Sequence, residues 1–311
     1  MSAPPGHRGG LAAALFACVA LAAATAGRCA ASCDATCLTG LASLYMDALT
    51  AQHWQDLPWA DTVHYAENSV KMQVGEGVWA TATGHSATPL IVADPVAGTV
   101  AWIGTIDEHG QPGFYALELT IKGDRIAAVQ SVIRRKEGRP PFGDPVTFSP
   151  AARVTAPPAA GPAGDRDALI DLAESFFAAQ TGGAGGVPVS FAQGCRLIEN
   201  GVPMTGNLPA ARGGTGDCAP AFQRRLFQEY EGVRHRIVAV DPARALVVAI
   251  GYRDLPAAAI TFTAADGRSY PAEAQYPRSV GFVSVMRVRQ GAIAAVETVA
   301  SELPYLMPFP W

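Results

Sequence analysis

The sequence predicts an α+β chain of two related tandem domains, each joining an N-terminal helix to a curved antiparallel sheet. Three observations predict it. Four landmarks recur in the same order: LASLYMDALTAQ (41–52) returns as LIDLAESFFAAQ (169–180), HYAENSV (64–70) as RLIENGV (196–202), VADPVAGTVAWIG (92–104) as VAVDPARALVVAIG ending at Gly251, and RIAAVQSV (125–132) as AIAAVETV (292–299). Copies of roughly 110–140 residues have the size of independent domains rather than of solenoid units. In each copy a single helical stretch precedes long strand-like runs, which segregates helix from sheet.

The elements follow in order. His7 and Arg8, the apolar run 11–26 and small residues around Ala24, Ala26 and Ala30 predict a secretory signal over 1–31, cleaved after Ala26, Ala30 or Ala31. The alternative is a membrane anchor, for which the Ala-rich run is short, since a span needs roughly 20 apolar residues. The first domain is placed at 32–140. Leu38, Leu41, Leu44, Tyr45, Ala48 and Leu49 recur at helical spacing within 37–52. VHYAEN and VKMQV read as strand, turn and strand, with Asn68-Ser69 as the turn. Three β-rich runs follow. In the second, Val100, Trp102 and Gly104 alternate with Ala101 and Ile103. In the third, Phe114, Ala116, Glu118 and Thr120 share one face, with Tyr115, Leu117, Leu119 and Ile121 on the other. Residues 141–164, rich in Pro, Ala and Gly, read as a linker. The second domain, 165–311, opens with Asp165 or Asp167 as helix cap. It adds a loop near 203–220 and a hairpin with Asp266-Gly267 at its tip. Such insertions either shape a site or decorate the surface.

A net charge of −4 gives no basic face for nucleic acid, and no segment beyond the signal is long and apolar enough to span a bilayer. The charged run IRRKEGR (133–139) reads as a solvated turn. Of six cysteines, Cys18 lies in the signal and Cys29 is left over. An oxidising compartment would pair Cys33 with Cys37 and Cys195 with Cys218, the latter loop contributing roughly 3 kcal/mol in the chain-entropy model. Free thiols at Cys33 and Cys37 are the alternative. No metal is expected, because no His or second Cys pair stands nearby at ligand spacing. No GxSxG elbow, P-loop, HExxH or dinucleotide fingerprint occurs, and GGAGG (182–186) and RGGTG (212–216) read as loops.

The order of helix, short strands around Glu-Asn and a long sheet ending in an IAAV strand resembles the nuclear transport factor 2-like, or SnoaL-like, superfamily, in two copies. It is similar more narrowly to secreted bacterial and fungal proteins of unassigned function that combine a CxxxCL helix start (Cys33–Leu38), HYAEN-like and IENGV-like elements (His64–Asn68, Glu199–Val202) and a terminal PY…W (Pro304, Tyr305, Trp311). The resemblance implies an α+β fold of two tandem cone-shaped domains, each a curved antiparallel sheet wrapped around N-terminal helices and enclosing an apolar pocket. It implies chemistry without metal or organic cofactor. A carboxyl or imidazole in such a pocket is desolvated, its pKa moves toward neutrality, and it can exchange protons with a substrate.

Candidates follow from this. His64 and Asp107 in the first copy and His235 and Asp254 in the second are the catalytic candidates, His235 and Asp254 as base and orienter. Tyr45, Tyr65, Glu67, Trp79, Trp102 and Glu199 are candidates for substrate binding. Phe176 is read as standing near the position of Tyr45, and Leu197 or Ile198 near that of Tyr65. Because Glu67-Asn68 and Glu199-Asn200 match across copies, a structural role competes with a pocket carboxylate. The expected function is a secreted or periplasmic cofactor-independent enzyme, of isomerase, dehydratase or lyase type, acting on a small apolar or aromatic molecule. The alternative is a non-catalytic ligand-binding or assembly protein. Convergent ionisable groups in the interior favour the first, and a uniformly apolar interior the second. Pairing of the two copies sheet to sheet would make a monomer sufficient.

Overall fold

The computed structural model describes Met1 and residues 33–137, 141–150, 152–155, 164–181, 188–204, 217–226, 230–257, 261–271 and 276–311. The signal, Cys29 and the Gly-rich stretches 182–186 and 212–216 lie outside the described residues. Residues 32–311 form one compact unit.

Helix α1 (Ala35–Ala51) starts where the Asp34 carboxylate accepts the Cys37 N–H at 2.9 Å, and the Cys33–Cys37 disulfide crosses that first turn. Leu38, Ala42, Tyr45, Met46 and Leu49 form its buried stripe. Seven strands follow: β1 (Trp59–Glu67), β2 (Val70–Lys71), β3 (Ala82–His85), β4 (Leu90–Asp94), β5 (Thr99–Glu108), β6 (Gln111–Lys122) and β7 (Arg125–Arg134). Their order is β2-β1-β7-β6-β5-β3, with β4 also on β5. All pairs are antiparallel except β1 with β7, where Tyr65 stands opposite Val129 and Glu67 opposite Ser131.

After a short helix α2 (Ala152–Thr155), the second half repeats the plan. Helix α3 (Arg166–Ala178) is capped by Asp165, whose side chain accepts from the Ala168 N–H. It leads to β8 (Phe191–Glu199), β9 (Val202–Pro203), α4 (Cys218–Gln223), β10 (Gly232–Asp241), β11 (Leu246–Leu255), the small hairpin β12 (Thr261–Thr263) and β13 (Ser269–Pro271), β14 (Arg278–Arg289) and β15 (Ala292–Leu303). The six-stranded order β9-β8-β15-β14-β11-β10 follows that of the first sheet, with β10 where the first sheet has both β3 and β4, and among the described residues its one parallel strand pair is β8 with β15. The disulfide Cys195–Cys218 ties α4 to β8.

The repeated Glu-Asn element has a backbone cause. Asn68 and Asn200 both adopt positive φ, a conformation Asn tolerates better than most residues. Each then bridges the parallel partner strand. Asn68 bonds the N–H and carbonyl of Ile133, and Asn200 those of Ala300.

The expectation of cone-shaped α+β domains is corrected. The chain is predominantly β and organised by large mixed sheets, not by sheets wrapped around helices. The physical reason lies in the alternation itself, because both faces of the long strands are apolar and each sheet needs two covers. One face of the first sheet, through Val100, Trp102, Tyr115, Leu117 and Leu119, packs with α1. The opposite face, through Ala101, Ile103, Phe114 and Ala116, shares one core with Val238, Val248, Ile250, Val283 and Val285 of the second sheet. Helix α3 and the aromatic residues around it cover the outer face of that second sheet. Buried polar ties cross between the sheets. Arg236 forms a bidentate pair with Glu118 at 2.5 and 3.0 Å, the Asp94 carboxylate accepts from Arg166 and the Val240 N–H, and the hydroxyls of Ser69 and Tyr252 meet at 2.5 Å.

Candidate functional site

The interior of the first half is where ionisable and hydrogen-bonding groups converge. Period-2 alternation places Tyr65 and Glu67 of β1 on the face that meets α1, together with Tyr115 of β6. Tyr45 projects from the buried stripe of α1, and Trp79 comes from the 3-10 turn Gly77–Ala80. The rings of Tyr45 and Trp79 meet edge to face at 5.2 Å, and Trp59 closes on both. Leu38, Met46, Val78 and Trp102 belong to the same cluster.

Four polar atoms in this cluster, the hydroxyls of Tyr45, Tyr65 and Tyr115 and the indole nitrogen of Trp79, are buried without a hydrogen bond of good geometry among the described residues, although Tyr45 faces Trp79, Tyr65 and Tyr115, and Tyr115 faces Ser131. Native interiors rarely leave such groups unpaired, and each costs about 1–3 kcal/mol. Burial pushes all three phenols above the ordinary tyrosine range. For Tyr45 the neighbouring Tyr115 and Tyr65 add to it, for Tyr65 the neighbours are Tyr115 and Glu67, and Glu67 also acts on Tyr115. All three therefore remain protonated at neutral pH.

Glu67, at the end of β1, is 6 % exposed. Its Oε2 accepts the Val78 N–H at 2.9 Å, and its Oε1 lies 3.5 Å from Arg135 Nη2. Burial raises its pKa, and the Val78 N–H and Arg135 only partly offset this. The approach of the 3-10 turn depends on Gly77, which has φ +65°, and a Cβ there would stand 2.5 Å from Glu67 Oε2. Arg135 itself is bonded more tightly to Glu108, at 2.6 and 2.9 Å, and Thr81 donates to the same carboxylate at 2.5 Å. Burial raises the Glu108 pKa, but the bonds from Arg135 and Thr81 outweigh it and hold the carboxyl below its usual range. Glu108 and Arg135 also line an open cleft of about 500 Å³, together with Gln111, Pro112, Lys136, Phe142 and Val146.

The sequence-derived candidates separate into groups. Tyr45, Tyr65, Glu67, Trp79 and Trp102 come together in one interior. His64 does not join them. It neighbours Tyr65 on β1, so it points to the opposite face, where it is exposed with its ring 5.5 Å from Trp311. Asp107 binds the Thr83 hydroxyl at 2.9 Å and the Gly110 N–H at 2.6 Å, shaping the β5–β6 turn. His235 and Asp254 are not paired with each other. His235 Nε2 meets Glu174 at 2.9 Å with its ring 4.2 Å from Phe177, whereas Asp254 is bidentate with Arg234 and accepts from Ser279. Asp254 thereby anchors the C-terminal tail, since Arg234 donates to the Met307 carbonyl and the Leu306 N–H to Ser279. Glu199 is held by Arg253 at 2.5 Å. The two expected disulfides form. Cys33, Cys37 and Asp124 are the one cluster of metal-ligating residue types among the described residues, and its two sulfurs are already bonded to each other.

Tyr115, Glu108 and Arg135 are members that sequence reasoning missed. The signal for Tyr115 was present in its alternation with Leu117 and Leu119. Arg135 lay hidden in a charged run read as a solvated turn.

Residues 163–300 match the family described as Domain of unknown function (DUF8021). No curated protein matches the chain. Among solved structures, the chain is similar to the structure of AusH from Aspergillus nidulans, at 14 % identity and a TM-score of 0.27, over 44 % of this chain and 86 % of that one. An overlap this low carries no argument about fold or chemistry.

Proposed function

We propose that the first half is a cofactor-independent acid–base site for a small apolar or aromatic molecule, in a secreted or periplasmic protein, and that the second half is its structural partner. The observation that supports this is the set of four buried hydrogen-bonding atoms that face one another without well-formed bonds, two of them, on Tyr65 and Tyr115, next to Glu67. Phenols that stay protonated and an indole N–H are donors suited to a ligand oxygen on which negative charge develops. A buried carboxyl with a raised pKa is suited to exchanging a proton with the same ligand. The apolar walls would hold its hydrocarbon body. Isomerisation, dehydration and lyase-type elimination all use these parts. Two disulfides favour an oxidising compartment. Each sheet supplies the other with an apolar cover, so the chain is proposed to act as a monomer, which light scattering on the mature chain would check.

The test is a thermal-shift screen of aromatic and terpenoid small molecules, followed by mass analysis of any hit for conversion. The triple variant Tyr45→Phe, Tyr65→Phe, Tyr115→Phe should lose the hit. Glu67→Gln should retain binding and lose turnover. His64→Ala and His235→Ala should change neither. Binding that survives the triple variant removes the assignment, and binding without turnover leaves a non-catalytic carrier.

A further inference from the structure

We propose that Glu108 is a positioning residue that keeps Arg135 from closing on Glu67. The inference rests on reading Glu67 as the proton-exchanging group and names the device that regulates it. Arg135 stands between two carboxylates and divides itself unequally. Glu108 receives two hydrogen bonds, at 2.6 and 2.9 Å, while Glu67 is left with one longer approach of 3.5 Å. Glu108 is fixed in that role by the Thr81 hydroxyl.

The second half supplies the control. Strand register makes Glu199 the counterpart of Glu67, since they face Thr298 and Ser131 on the parallel partner strands. Gly104 and Gly251 correspond through their partners Tyr115 and Phe282, which puts Leu255 at the place of Glu108. The arginine that meets Glu199 is not the counterpart of Arg135: Arg253 lies on β11 at the place of Ile106 and reaches Glu199 at 2.5 Å, with a buried leucine rather than a carboxylate two residues further on. The matched glutamates thus differ in how closely an arginine approaches, and in that Arg135, unlike Arg253, is shared with a second carboxylate. An opposite charge in contact holds a carboxyl ionised, and a withdrawn one lets burial dominate. The other titratable groups interacting with Glu67 are Tyr65 and Tyr115, and Glu76, from the loop before the 3-10 turn, acts on Tyr65. Among the described residues, Arg135 is the cation that acts on Glu67.

The experiment is a ligand-free ¹³C NMR titration of the Glu67 side-chain carboxyl in the mature chain, with folding checked by circular dichroism. Glu108→Gln should lower the Glu67 midpoint by about one pH unit, the size expected for an opposite charge moving into contact. Removing the Glu108 charge also relieves direct repulsion, so the same substitution is repeated in an Arg135→Gln background, or Arg135→Met if that variant does not fold. A shift that vanishes without Arg135 supports the proposal. A shift that persists undiminished there, or no shift at all, overturns it. Because no ligand is involved, this result stands apart from the ligand screen, so failure of the acid–base reading and failure of the Glu108 device are separately visible.

Discussion

The two halves share a strand order and differ in what fills the space between helix and sheet. In the first, Tyr65, Tyr115 and Tyr45 bring hydroxyls into the interior. In the second, register places Leu197 at the position of Tyr65 and Phe282 at that of Tyr115. The helix landmark that pairs Leu41 with Leu169 sets Ala173, rather than Phe176, opposite Tyr45. Phe176, Phe177, Phe191, Phe222 and Phe282 then pack ring against ring. The second half shows that this topology accepts hydrocarbon side chains where the first half has its three phenols, even though its interior also holds the Arg253–Glu199 pair. The hydroxyls of the first half are thus not needed to form the fold, and they carry a desolvation cost that stability alone does not explain.

The comparison can be broken in order of expected effect. Phe177→Ala should destabilise by about 3–5 kcal/mol, as for other buried aromatic truncations. Denaturant unfolding checks this, and a loss under about 1 kcal/mol would mean the second interior is not the tight core described. Replacing Cys195 and Cys218 together by alanine should cost about 2–4 kcal/mol by the same measurement. A reciprocal exchange sharpens the contrast. Tyr115→Phe should stabilise by about 1 kcal/mol while weakening ligand binding, and Phe282→Tyr should destabilise by about 1–3 kcal/mol by burying an unpaired hydroxyl. If both changes cost stability, Tyr115 is a satisfied core residue.

The smallest effect is a pH dependence. The folded-state pKa of Glu67 is raised by burial, so its contribution to stability is greatest below the ordinary carboxylate range and falls as pH rises through the raised value. Glu67→Gln should therefore stabilise the protein at pH 7 and approach the parent's stability at about pH 4, below the usual glutamate pKa. Melting temperatures at both values decide it.

Much of the strand pattern was legible. The alternation across 99–121 put Tyr115, Leu117 and Leu119 on one face and Phe114 and Ala116 on the other, as found. The conclusion drawn from it was incomplete, because two apolar faces call for two covers and the cone supplied one. Period 2 also held information that went unused. His64 and Tyr65 are consecutive strand residues and cannot line one cavity, and the same holds for Asp107 and Glu108. The tie between Arg135 and two carboxylates joins positions far apart in sequence, and no local pattern marks it.

The parallel pairs β1–β7 and β8–β15 join the first strand of each half to its last. During synthesis, Tyr65 must wait for Val129 to emerge, and Leu197 for Val296. Neither half can finish its sheet from local hairpins alone, so closure is delayed to the end of each repeat. Until then, strands apolar on both sides are open to wrong partners.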